Sequence, residues 1–119
     1  NFSTVDIKNL IVIDDNTYQL TFEKPLIIQP DTLVKVIKTS FKKANLSEHY
    51  ITEVLECNEN QVAYSYEIKL DVEQSLVPCS GRELQRACYT IQVYFNTSIV
   101  EIPKYIYLLI LLERIHLLI

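Results

Sequence analysis

From Gln61 to Val72 the chain alternates without a break. Val62, Tyr64, Tyr66, Ile68, Leu70 and Val72 fall on one parity; Gln61, Ala63, Ser65, Glu67, Lys69 and Asp71 fall on the other. Successive side chains of a strand point to opposite faces, so this spelling makes one apolar face and one wet face. A helix would scatter the same residues around its circumference. A long antiparallel strand laid against a core is expected here.

The same reading extends along the chain. Thr4 to Asp14 reads as a first strand, through Val5, Ile7 and the run Leu10-Ile11-Val12-Ile13. The cluster Asp14-Asp15-Asn16 is a turn, and Thr17 to Glu23 is a second strand with Tyr18, Leu20 and Phe22 inward. Pro25 and Pro30 bracket Leu26-Ile27-Ile28, which belongs at a sheet edge or a crossover because proline cannot donate to a ladder. Thr32 to Ser40 carries the doublets Leu33-Val34 and Val36-Ile37, which read as a third strand covered on both faces or bulged. Tyr50 to Cys57 is a fourth strand, joined to the long one as a hairpin by Asn58-Glu59-Asn60. Ser80-Gly81-Arg82-Glu83 has capping-box spacing, so one or two helical turns are expected near 81–87. Tyr89 to Asn96 alternates again, with Tyr89, Ile91, Val93 and Phe95 inward.

Six to seven short strands with one short helical insertion imply an all-β chain, an antiparallel β-sandwich of jelly-roll-like or immunoglobulin-like form. A length of 119 residues fits one domain, and a 49% hydrophobic share lets it fold without a metal or disulfides. The sandwich is expected over 1–101. Beyond it, 102–119 reads as an apolar C-terminal assembly segment, in the same domain or docked on a partner.

That tail is apolar or aromatic at every position from Tyr105 to Leu112, and Glu113, Arg114 and His116 then interrupt it. A spanning helix needs about 20 mostly apolar residues, so a complete membrane span is not expected. A strand or short helix turns only one face to its own core. The side chains of Tyr105, Ile106, Leu108, Leu109, Ile110, Leu112, Ile115 and Leu118 are therefore expected to meet a protein partner or a second copy.

Composition narrows the chemistry. The net charge is −4, and no basic run exceeds Lys42-Lys43, which excludes the electrostatic footprint of a nucleic-acid binder. A single glycine rules out a phosphate-cradling loop, so no nucleotide cofactor is expected. His49 and His116 are far apart in sequence, and neither stands in a catalytic motif. The carboxylates at Asp14-Asp15 and at Glu53, Glu56 and Glu59 lack the turning glycine of a calcium loop and read as turn and solvent-face residues. Tyr64, Tyr66, Tyr89 and Tyr94 could stack bases, but Tyr64 and Tyr66 share the parity of Ile68 and read as core. No catalytic, metal or cofactor site is expected.

Three cysteines leave the compartment open. They are reduced thiols of an intracellular or virion-interior protein, or they include one bridge and one free thiol in a secreted one. Cys79 and Cys88 are the candidate bridge by their closeness in sequence. Sequons at Asn1, Asn45 and Asn96 favour the secreted reading, with Asn45 and Asn96 as candidate glycan sites.

One segment carries a resemblance. Tyr18-Gln19-Leu20-Thr21-Phe22-Glu23-Lys24-Pro25-Leu26-Ile27-Ile28 leads through Pro30-Asp31 into Val34-Lys35-Val36-Ile37-Lys38-Thr39-Ser40-Phe41. This resembles the opening strands of small jelly-roll minor capsid or penton-like proteins of large double-stranded DNA viruses, virophages and polinton-like elements. It covers about a fifth of the chain. The resemblance implies a capsid-associated protein without an active site, which acts through subunit contacts. The expectation is thus a non-enzymatic structural or assembly module. The alternative is a secreted or ectodomain β-sandwich binding module with a Cys79–Cys88 disulfide and N-glycans. A carrier of an apolar ligand between the sheets comes third, and a small hydrolase last.

Overall fold

The computed structural model describes residues 7–43, 45, 46, 48–79, 81 and 83–96. The expected domain boundary at 101 and the tail lie outside the described residues. Within them the chain is mostly antiparallel β, in two sheets, as the alternation required. In order come β1 (Ile7–Asp14), β2 (Thr17–Phe22), β3 (Leu26–Ile28), α1 (Pro30–Lys43), β4 (His49–Glu56), β5 (Val62–Lys69), β6 (Val72–Val77), β7 (Leu84–Ala87) and β8 (Tyr89–Phe95). Six strands form one sheet in the order β1-β2-β8-β4-β5-β6, and β3 pairs with β7 in a small second sheet. The arrangement is sandwich-like: α1 and the β3–β7 pair share one core with the inner face of the large sheet.

Alternation decides which face is inner. Tyr18 and Leu20 of β2, Tyr50 and Val54 of β4, Tyr64, Tyr66 and Ile68 of β5, and Ile91, Val93 and Phe95 of β8 are all buried there. The β4–β5 hairpin and the β1–β2 hairpin form as expected, and among the described residues β3 pairs only with β7. The last described strand, β8, lies between β2 and β4 and is antiparallel to both.

Three segments differ from the sequence reading. The expected strand over Thr32–Ser40 is part of α1. Leu33, Val34, Ile37, Ser40 and Phe41 are buried together, while Asp31, Lys35, Thr39, Lys42 and Lys43 are exposed. Spacings of three and four put those buried side chains on one helical face. The two doublets that suggested a strand are neighbours on that helical stripe. Pro30 opens the helix where its missing N–H costs nothing, and Asp31 and Lys42-Lys43 match the helix dipole at the two ends. The helix closes with Leu46 N–H donating to Phe41 O (3.0 Å) and Asn45 N–H to Lys42 O (3.1 Å), with Asn45 in the left-handed region at φ 57°. The expected strand in the resembling segment after Pro30 is therefore this helix.

In place of the helical insertion expected near 81–87, Leu84–Ala87 form strand β7, which makes eight strands among the described residues. Four residues cannot repay helix nucleation. Leu84 finds a ladder partner in Ile28, and Ala87 finds one in Leu26.

The long strand also stops early. Lys69 pairs with Val72, so Leu70 and Asp71 form a two-residue hairpin turn with φ of 50° and 72°. Leu70 and Val72, expected inward, are exposed. The Asp71 carboxylate anchors the turn, meeting Lys42 Nζ at 3.2 Å and Lys38 Nζ at 3.3 Å. Hydrogen bonds from Lys42 and then Lys38 hold its carboxyl below the usual range.

Two stability outcomes follow from these positions. Ile68 is 1% exposed and its neighbour Lys69 faces solvent. Chemical denaturation of Ile68→Ala should show a loss of about 2–5 kcal/mol, against a change within about 0.5 kcal/mol for Lys69→Ala. At the turn, a leucine in left-handed backbone carries steric strain, and at 76% exposure it has little packing to lose. Leu70→Asn should therefore stabilise the protein by about 1 kcal/mol, seen as a raised melting temperature.

Candidate functional site

The sheet has two distinct ends. One holds the β1–β2 and β5–β6 turns, the C-terminus of α1 and the end of β8, where Phe95 N–H donates to Asn16 O and Asn96 N–H to His49 O. The other holds the β4–β5 turn, the start of α1 and the cysteines. They are separated by a strand length, about 20 Å at the usual rise.

Cys57 and Cys88 are bonded, with their Cα atoms 5.4 Å apart. This corrects the expected Cys79–Cys88 pairing. Glu56 pairs with Tyr89 at the end of the β4–β8 ladder, so the residues just beyond, Cys57 and Cys88, stand side by side. Cys57 N–H also donates to Cys88 O (3.0 Å). Cys79 follows β6, three strands from β8, and is a free thiol. Nearness in sequence misled because the chain between Cys79 and Cys88 goes out to pair with β3 first.

Cys79 lines an open cleft of about 810 Å³ between β6, the start of α1 and the β6–β7 connection. Asp31, Glu73 and Glu83 give this cleft a negative rim, and Tyr64 and Ser75 line it beside them. Gln29 Nε2 lies 3.5 Å from Glu83 Oε2 across it. Burial raises the Tyr64 hydroxyl to about 12, with the Glu73 charge adding to the shift. The described residues of the cleft therefore offer acceptors and negative charge. Among the described residues, no group of three His, Cys, Asp or Glu side chains could hold a metal ion.

His49 sits at the other end of the sheet from Cys79, its Nε2 3.1 Å from Glu67 Oε2. His116 lies outside the described residues. On the open face of the sheet, Tyr94 donates to Glu53 Oε1 (2.8 Å), with the Gln92 carboxamide oxygen beside it. Desolvation first, then the bond to Glu53, raises the Tyr94 hydroxyl to about 12. Tyr64, Tyr66 and Tyr89 are buried, as the core reading expected.

Asn45 and Asn96, the candidate glycan positions, are both exposed and both at the end away from the disulfide. Asn45 also has a purely structural role, as the left-handed residue that closes α1. The apolar interaction residues Tyr105 to Leu118 lie outside the described residues. No described helix is long and apolar enough to cross a membrane.

Sequence reasoning did not single out the two edge strands. Ile11, Val12 and Ile13 of β1 are exposed, as are Val72, Leu76 and Val77 of β6. A signal was present for β1: four consecutive apolar residues occupy both parities in a strand that has only one core to face. Comparison with family models, with curated proteins and with solved structures gave no match.

The tyrosines give a measurable signature. Burial raises the hydroxyls of Tyr50 and Tyr66 as well as those of Tyr64 and Tyr94. For these four groups the folded value lies above the unfolded one, near 10. Their contribution to stability is complete below pH 10 and is lost as pH rises toward the folded values. Absorbance titration at the phenolate band should show them silent near pH 10 in the native protein. They should titrate normally in denaturant, with the melting temperature falling above pH 10.

Proposed function

We propose that this chain is a non-enzymatic contact module of an oxidising compartment, secreted or displayed as an ectodomain. The Cys57–Cys88 disulfide carries the reading. Such bonds persist where glutathione and thioredoxin do not keep thiols reduced. The bond spans 31 residues and ties the end of the β4–β5 hairpin to the entry of β8. It therefore closes the ladder on which the two halves of the large sheet depend.

The rest of the molecule supports work by contact. Apolar side chains stand on both edges of the sheet, and the open face carries a hydrogen-bonded polar surface around Tyr94. In an oxidising secretory route Asn45 and Asn96 become glycan acceptors. Glycans there shield one end and leave the disulfide end, the acidic cleft and the sheet edges free. The assembly role of the tail residues belongs to the same reading, as a second contact with a protein partner. A virion component would use the same mechanism and differ in compartment.

Alkylation without reductant, followed by intact mass and peptide mapping, separates these. One label on Cys79 is expected, and three after reduction. Three labels on native protein would place the chain in a reducing setting and remove the basis of the proposal. A Cys57→Ser/Cys88→Ser double variant should lose about 3–4 kcal/mol in denaturation, from the loop-closure entropy of a loop of this length.

A further inference from the structure

The large sheet ends at β6, and among the described residues no strand lies beyond it. All of β6 is exposed. Lys69 pairs with Val72 across the two-residue turn, and from there bonded and non-bonded pairs alternate along the antiparallel ladder. Val72 and Gln74 therefore turn their N–H and C=O groups to β5, while Glu73 and Ser75 turn theirs outward. These two residues stand opposite Ile68 and Tyr66, so their side chains lie on the helix side, where both line the cleft. The backbone edge and the cleft are thus one continuous surface. Its carboxylates are uncompensated. Asp31, Glu73 and Glu83 are all exposed, and among the described residues none of them shares an ion pair.

We propose that the β6 edge and the cleft beside it take up an extended basic segment of a partner protein, added to the sheet as an antiparallel strand. In strand addition, main-chain bonds supply affinity and alternate side chains supply specificity. Here the bonds go to Glu73 and Ser75. Residues directly opposite in a ladder share a face, so the partner residues opposite Glu73 and Ser75 project over the cleft. Lysine or arginine at those two positions meets the carboxylates of Asp31, Glu73 and Glu83. The residue between them stands opposite Gln74 on the open face, beside Val72, and suits a β-branched side chain. The motif is short, because the ladder with β5 shifts register at Leu76 and ends the regular run of β6 at Ser75. A second copy of the chain fits poorly. Pairing β6 with itself about Gln74 brings two acidic clefts to one seam, and like charges there oppose association. This surface rests on the contact role proposed above and not on the compartment, which alkylation decides separately.

Amide nitrogen–proton correlation NMR of the full chain, with the disulfide intact, tests the proposal by titration with the capped peptide Thr-Lys-Val-Lys-Thr. The amide signals of Glu73 and Ser75 should shift saturably, and those of the distant β1–β2 turn should stay still. Methylating the two lysine amide nitrogens removes the N–H groups that face β6 and keeps the charge, so binding should be lost. Methylating the valine nitrogen, which points away from β6, should leave binding intact. Glu73→Gln should raise the dissociation constant by about tenfold. Asp15→Asn, the same change of charge at the far end, should leave it unchanged. The absence of a saturable shift at β6 overturns the proposal and leaves the disulfide-based reading standing. Equal binding by the lysine-methylated peptide overturns strand addition in favour of charge attraction alone. Binding lost on valine methylation and kept on lysine methylation overturns the register. Three alkylation labels on native protein would remove the oxidising compartment and leave this surface in place.

Discussion

The structure depends on where its last described strand goes. β2 and β4 do not pair with each other; β8 enters between them and hydrogen-bonds to both. Without it the sheet would be a two-stranded ribbon and a three-stranded meander, each with an open apolar face. Isolated hairpins are marginal in water, so the two pieces become one sheet through this ladder. The pairing of Leu20 with Ile91 closes nearly the whole described chain, a long loop whose entropy must be met before the contact forms. Burial offsets that cost. Ile91, Val93 and Phe95 are almost wholly inaccessible to water.

Phe95 also marks where the helix joins the sheet. Its ring centroid lies 5.3 Å from Phe41 of α1, 5.9 Å from Tyr18 and 5.9 Å from Tyr50, and Phe41 meets Tyr50 edge-on at 4.8 Å. Tyr66 continues this layer from Tyr50. Aromatic pairs at such distances add to the burial they share. The C-terminal half of α1 is thereby fixed over β8 and β4, and Lys38 and Lys42 reach the β5–β6 turn. At the opposite end, the start of α1 stands apart from β6 and leaves the acidic cleft between them. The disulfide lies at this same end and seals the β4–β8 ladder beside it.

Chemistry and contact are accordingly separated in space. The free thiol is in the cleft, the described histidine is paired with Glu67 at the far end, and the apolar edges flank the sheet. Such a layout suits a module whose surfaces are used independently. A sugar on Asn45 or Asn96 would not obstruct the cleft, which lies at the other end of the sheet.

Much of this was legible in the amino-acid order. Period-two alternation in 17–22, 62–69 and 89–95 set the strands and their inner faces, because a strand has only two sides. Proline at 25 and 30 set β3 at the margin, because it cannot donate to a ladder. Local pattern was ambiguous where apolar doublets served either period: Leu33-Val34 and Val36-Ile37 became helical because Leu33, Val34, Ile37 and Phe41 then share one buried face, with Phe41 against Tyr50 and Phe95. Leu70 spells inward and points to water, because the turn geometry of Lys69–Val72 overrides its parity. The disulfide partner was beyond any local reading. Cys57 meets Cys88 because β4 and β8 are neighbours, and strand order is decided by which distant faces bury each other best. The sequence by itself determined the strands over 17–22, 62–69 and 89–95 and their inner faces, because period two leaves a strand only two sides. Only the tertiary structure decided the pairing of cysteines and the cleft, since each is made by segments far apart in the chain.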